Sequence, residues 1–334
     1  MTSPGRWREF PLIADIRRLA GPVRPPDCLG IGDDAAVYRP AASGRWEAVT
    51  CDTLVEGVHW SGDWCGPEAA GRRIAAVNLS DLAAMGATPE RAYLSLALPR
   101  NFSAANAHRL AAGVVRELRR HGARLLGGDT VATPGPLTAT LTLQGSLPRS
   151  EWLTRRGARP GDLLLVTGNL GAPAAALAWL RSRRRVSPAF APLVRRLVRP
   201  VPLLAAGRVL AHTRRVHAAL DLSDGLAGDA RRLAEASRVG LTVHAERLPV
   251  STLVRRAAQA LQRDPLDWAL SGGEDFELLF AARAADAQHI ARQLRALARV
   301  SCAVIGEVTP ARSGLKLLRH GRLRPWPRGW EHNR

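Results

Sequence analysis

The chain has 334 residues, 46% of them hydrophobic, and a formal net charge of +19. That suits two domains, or one large one, with a sizeable core, and it excludes a disordered tail. No apolar run is long enough to span a bilayer, and the four cysteines (Cys28, Cys51, Cys65 and Cys302) form no C-x-x-C pair, which argues against a zinc framework and for reduced thiols.

The excess of arginine is spread along the chain, densest at Arg181, Arg183, Arg184 and Arg185 and again at Arg195, Arg196 and Arg199. It accompanies no recognition-helix, zinc-finger or RNA-binding aromatic pattern. No specific nucleic acid is expected, only salt-sensitive binding to polyanions. The first twenty residues carry charges throughout and lack the apolar core of a signal peptide, so a cytoplasmic protein is expected.

Residues 1–20 read as a short amphipathic helix with Phe10, Ile13, Ile16 and Leu19 on one side, broken by the prolines of 21–27. The turn Gly30-Ile31-Gly32-Asp33-Asp34 follows. Ionised carboxylates so close repel each other and are costly to bury, and a bound cation is the usual remedy. Asp33 caps the turn or joins Asp34 on the metal; both readings stand. A strand over 46–50 is expected to deliver Cys51 and Asp52 at its end, before a loop with His59 and Trp60.

Pro67 opens a helix to Met85, closed by Gly86-Ala87-Thr88-Pro89, with Asn78 and Asp81 on one face. Strands follow at 93–98 and 123–126, around a helix capped by Ser103; the second strand ends in Gly127-Gly128-Asp129-Thr130. Residues 137–147 alternate in polarity and predict a sheet with unlike faces. A Pro- and Gly-rich stretch at 148–161 marks a boundary between domains 1–149 and 150–334.

The second half begins with a strand over 162–167 and a helix over 174–180. A short strand at 218–220 feeds Asp221-Leu222-Ser223-Asp224-Gly225. Gly272-Gly273-Glu274-Asp275 precedes a strand at 277–280, a helix around 285–298 and a strand over 303–308; a little-structured tail holds Trp326 and Trp330. Both halves therefore bring Gly- and Asp-rich turns to one rim, as two α/β domains facing across a cleft. Such oxygen-rich clusters suit magnesium with substrate phosphates.

Seven stretches in order carry a resemblance: GIGDDAAV at 30–37, DTLVEGVHW at 52–60, AVNLSDLAAMGATP at 76–89, GGDT at 127–130, LTRRGARPGD at 153–162, LDLSDGL at 220–226 and LSGGEDFELLF at 270–280. The chain resembles the thiamine-monophosphate kinase family, of the aminoimidazole ribonucleotide synthetase-like superfamily. The resemblance implies an α/β fold of α+β type, with an N-terminal sheet domain that pairs in a homodimer and a C-terminal α/β domain. It implies ATP as co-substrate, several magnesium ions, and thiamine monophosphate as phosphoryl acceptor.

Carried over by position, Asp34, Asp52, Asp81, Asp129, Asp221 and Asp224 would be metal ligands. Thr50 and Cys51 occupy two further ligand positions that are Ser/Thr-like in relatives. A thiol is a poor magnesium ligand, so at Cys51 either the backbone carbonyl serves or the contact is lost. Gly128, Asp129, Arg155 and Ser223 would contact ATP, and His59, Glu274 and Trp330, or else Trp326, the thiamine portion. On local pattern alone, His59 also reads as a packed loop histidine, Asp224 as a helix cap, Arg155 as solvated surface and Glu274 as an ordinary turn. The alternatives are a sister ATP-dependent synthetase of the superfamily, or a nucleic-acid-binding protein that kept the fold. The acidic clusters argue against the latter, since without metal they would repel phosphate.

Overall fold

The computed structural model describes residues 8–21, 28–40, 45–148, 152–182 and 188–332. The expected proline break at 22–27, part of the boundary at 149–151, and Arg183, Arg184 and Arg185 lie outside them. The first half contains α1 (Glu9–Ala20), β1 (Cys28–Leu29), β2 (Ala36–Tyr38), β3 (Trp46–Val55), α2 (Pro67–Met85), β4 (Thr88–Pro99), α3 (Ala104–Arg120), β5 (Arg124–Thr133) and β6 (Thr138–Leu147). Its strands form one sheet in the order β1-β2-β3-β6-β4-β5.

The second half contains β7 (Asp162–Thr167), α4 (Ala172–Arg181), α5 (Ala191–Val198), α6 (Leu204–Thr213), β8 (Val216–Asp221), α7 (Leu226–Ser237) and β9 (Gly240–His244). It continues with α8 (Thr252–Leu261), α9 (Pro265–Ser271), β10 (Leu278–Arg283), α10 (Ala284–Gln293), β11 (Cys302–Thr309), β12 (Leu315–Arg319) and β13 (Arg322–Arg324). Here the order is β13-β12-β9-β11-β7-β10-β8, so the expected α/β fold with a sheet in each half is present. Among the described residues no helix is long and apolar enough to cross a membrane.

The alternation read over 137–147 is that of β6, whose residues alternate half-buried and buried. The apolar face packs on α2 and α3; the other face carries Thr138, Thr140, Thr142 and Gln144. Ser103 caps α3 as expected, accepting the Asn106 N–H at 3.2 Å.

Two expected strand ends prove to be strand interiors. β3 pairs with β6 along its whole length, so Cys51 and Asp52 lie within it and not at its end. β5 runs through Gly127-Gly128-Asp129-Thr130, paired in parallel with β4. Gly128 is required there because a Cβ would stand 1.8 Å from the Leu94 carbonyl oxygen.

α2 holds the two halves together. Fourteen of its nineteen residues are buried, so it packs on every side instead of presenting one apolar stripe to a single sheet. Its C-terminal end lies against α6 of the second half. At Gly207 of α6 a Cβ would meet the Ala83 carbonyl oxygen at 1.8 Å, so the two backbones touch. The left-handed Gly86 then ends α2, its N–H returning to the Ala83 carbonyl.

Candidate active site

The site is arranged along α2. Asn78, Ser80 and Asp81 follow one another within a single turn and reach two strands, β3 and β8. Asn78 Oδ1 accepts the Asp52 N–H of β3 at 3.1 Å, while its Nδ2 donates to the Ile74 carbonyl at 3.0 Å. Asn78 thus supports the backbone at Asp52. The Ser80 hydroxyl donates to Asp221 Oδ2 at the end of β8, at 2.7 Å. Thr50 of β3 donates to Asp81 Oδ2.

Carboxylate oxygens of Asp34, Asp81 and Asp221 lie within 4.8 Å of one another, and Asp34 and Asp221 are buried. Burial first, then repulsion from Asp34, pushes Asp221 up to about 7. Burial, then Asp224 and Asp34, pushes Asp52 up to about 6. Asp81 is raised well above the usual carboxylate range by burial and by Asp52 and Asp221. So many acids in one place mutually disfavour the charged state.

Arg155, from the stretch before β7, partly offsets this: its Nε lies 3.0 Å from Asp34 Oδ1, and its backbone N–H donates to Asp33 Oδ1 at 3.0 Å. Asp33 also accepts the Asp34 N–H, which is the turn-capping role. Asp34 Oδ2 is buried and has no partner among the described residues. An orphaned buried carboxylate oxygen among carboxylates is the donor set of a hard divalent cation, so the residues fit magnesium.

Asp224 stands one loop further on, just before α7, whose N-cap is Gly225; the cap reading of Asp224 does not hold. Its carboxylate pairs with Arg232, which also pairs with the buried Asp229, and Asp229 Oδ2 accepts the Asp224 N–H at 3.1 Å. Phe10 of α1 covers the Arg232 guanidinium, 4.6 Å from ring centroid to carbon.

The tail closes on the same loop. The Trp330 backbone N–H donates to the Asp224 carbonyl at 3.0 Å, and the residue is 52% exposed. Trp326 instead packs on the second-half core, its Nε1 donating to the Ala227 carbonyl at 3.0 Å. His59 sits 5.4 Å from His332, ring to ring. Its Nδ1 accepts the Val55 N–H at 2.9 Å, so the neutral ring carries its proton on Nε2. Burial above all, then the neighbouring His332, lowers its pKa below the ordinary imidazole value, which favours the neutral ring.

Glu274 is bound to Arg73 of α2, and its N–H donates to the Ser223 carbonyl at 2.7 Å. That bond places Ser223 and Glu274 side by side.

Three sequence-predicted residues fall elsewhere. The Cys51 thiol is exposed on the opposite face of β3, accepting from Thr142 at 3.4 Å. Both readings of Cys51, a contact through its backbone carbonyl or a lost contact, stand. Gly128 and Asp129 lie on the exposed edge strand β5, three strands from β3, which is about 14 Å at ordinary strand spacing. Asp129 pairs with Ser95 and, through it, with Thr140, on the sheet face away from α2.

Sequence reasoning passed over Arg73, Arg232 and Asp229. A usable signal existed for the first: Arg72 and Arg73 are adjacent in a helix buried all round, so both cannot reach solvent.

Comparison with known proteins shows the family of the chain. Residues 32–147 match the N-terminal domain of AIR synthase related proteins, and residues 159–317 match the C-terminal domain. The thiamine-monophosphate kinase of Escherichia coli (strain K12) is 38% identical over 315 residues, 94% of each chain. That of Bacillus subtilis (strain 168) is 36% identical over 253 residues, 75% of this chain and 76% of its own. The structure of AaThiL complexed with AMPPCP and TMP superposes with a TM-score of 0.83 at 30% identity, covering 97% of both chains. The chain is a kinase and belongs to the thiamine-monophosphate kinase family.

Proposed function

We propose that this chain transfers the γ-phosphoryl group of ATP to the phosphate of thiamine monophosphate, giving thiamine diphosphate and ADP. The observation that carries this reading is the convergence of Asp34, Asp81 and Asp221 around an unpartnered buried oxygen, within a family of that activity. An oxygen of the acceptor phosphate forms the new bond to phosphorus as the bond to the ADP oxygen breaks. That phosphate is already ionised, so no general base is needed, and catalysis is positioning with charge stabilisation.

Asp34, Asp52, Asp81, Asp221 and Asp224, with the Thr50 hydroxyl and the Cys51 backbone, would hold several magnesium ions. Bound there, magnesium would screen two polyanions from each other and stabilise charge on the transferring group. Arg155 exchanges its contact with Asp34 for ATP phosphate, and Ser223 supports the same nucleotide. His59 offers its Nε2–H, Glu274 a carboxylate and Trp330 a flat ring to the thiamine portion.

The working unit is a homodimer formed through the first sheet, with Gly128 and Asp129 supplied to the partner's site. Its support is the exposed edge: Leu126, Val131 and Tyr93 present apolar surface there, which isolated edge strands avoid. Division into domains 1–149 and 150–334 is supported by the family matches on either side of it. A cytoplasmic location is supported by the free cysteines among the described residues and by the use of ATP.

The test is turnover. Purified protein is mixed with ATP, magnesium and thiamine monophosphate, and thiamine diphosphate is separated by chromatography. Product that requires magnesium and the monophosphate, and is not made from thiamine, is the expected result; magnesium-dependent ATP binding without product overturns the acceptor.

A further inference from the structure

Arg73 heads the large side chains that the fold buries completely, at 1% exposure. An arginine so placed costs a large desolvation penalty unless its donors are met. Nη2 pairs with Glu274 Oε1, and Nη1 donates to the Leu197 carbonyl at 2.5 Å. Nε is buried without an acceptor among the described residues. Leu197 lies in the last turn of α5, where free carbonyls and the helix dipole favour a cation. Arg73 therefore reaches from α2 in the first half to two segments of the second.

Glu274 is held at both ends. Its backbone is left-handed, φ 62°, an unfavourable conformation for a residue with a side chain. The bond from its N–H to Ser223 fixes the backbone, and Arg73 fixes the carboxylate. With Oε1 occupied, Oε2 has no protein donor among the described residues, and the side chain is 30% exposed. Arg73 bears on His59 as well, its charge adding to the effects that keep that ring neutral.

We propose that Arg73 is a positioning residue for the acceptor substrate: it holds the Glu274 carboxylate in one place, so that Oε2 meets the amino N–H donor on the neutral heteroaromatic ring of the thiamine portion. The proposal rests on the reading of Glu274 given under Proposed function. It separates the two substrates, since Arg155 serves the nucleotide phosphates and Arg73 touches no residue assigned to them. Arg73 itself does not contact the reacting atoms.

The test compares R73M, R73K, E274A and the double variant R73M/E274A, measuring kcat and KM for each substrate separately. In R73M the KM for thiamine monophosphate rises about 10- to 100-fold, the usual weight of a hydrogen bond to a charged group, while the KM for ATP stays within about threefold. R73K, whose single ammonium cannot meet both Glu274 and Leu197, shows a rise of about three- to tenfold. E274A raises the same KM, and the double variant is no worse than E274A alone.

If E274A raises the KM and R73M does not, or if the two effects add, the role of Arg73 is overturned and Glu274 stands. If E274A leaves the KM unchanged, the assignment of Glu274 falls and this proposal with it. Should R73M fail to fold, R73K decides: a wild-type KM for thiamine monophosphate overturns the proposal.

Discussion

Ser80 of α2 and Asp221 of β8 meet across the two halves of the chain, hydroxyl to carboxylate, at 2.7 Å. Both are buried, and the bond favours the ionised form of Asp221 against the burial and the neighbouring acids that disfavour it. Ser80→Ala should therefore leave the fold intact but raise the magnesium concentration needed for half-maximal turnover, by about tenfold. The shortfall should shrink as pH is raised. A magnesium dependence identical to wild type would mean that Asp221 takes no part in holding the cation.

The acids make stability depend on pH in an unusual sense. Asp33 and Asp221 are pushed up to about 7 and Asp52 to about 6, each chiefly by burial, from a usual 3.8. Between those values the folded chain holds protons that the unfolded chain has released. Their contribution is thus fully present below about pH 4 and is lost as pH rises to about 7. Magnesium binds the ionised form and reverses the loss. Thermal melts in EDTA should fall from about pH 5.5 to about pH 8, and added magnesium should raise the melting temperature more at the higher pH. Parallel curves with and without magnesium would contradict this.

Replacing one acid separates catalysis from folding. Asp81→Asn should lower turnover by about a thousandfold or more, as expected for loss of charge stabilisation in a dry site. Because Asp81 is repelled by Asp52 and Asp221, the same change should leave the melting temperature in EDTA equal to wild type or higher. Turnover near wild type would remove Asp81 from the site.

Sharing of residues between protomers can be read by complementation. Asp52 and Asp129 lie on strands three apart in one sheet, with Asp129 on an exposed edge. Asp52→Asn and Asp129→Asn should each be inactive alone. Mixed and allowed to exchange subunits, they should recover roughly a quarter of wild-type turnover, from the one intact site in each mixed dimer. No recovery, with exchange verified by light scattering and mass, would place Asp129 in its own chain's site or outside it.

The turns were legible in the sequence because repelling acids beside glycine leave few structural explanations. Asp34, Asp81 and Asp221 do converge, and the Pro67 start and Gly86 stop of α2 are as read. What escaped was set by tertiary pairing. Asp52 and Asp129 looked like loop residues because Gly and Asp are weak strand formers, yet β6 and β4 carry those segments as strand. The face of Cys51 follows from a register that no local pattern gives. Strands β9, β12 and β13 have five residues or fewer and were missed, since a short apolar run does not declare its type. The exposed apolar residues of α1 kept their helical spacing, but only the fold shows Phe10 lying on Arg232.

The most direct test of the account is anomalous scattering from crystals grown with thiamine monophosphate, a non-hydrolysable ATP analogue and manganese in place of magnesium. The account predicts metal peaks bounded by Asp34, Asp81 and Asp221, with Arg155 withdrawn from Asp34 toward the nucleotide phosphates. Bound nucleotide without metal between those three carboxylates, and with the Arg155–Asp34 pair intact, would contradict it.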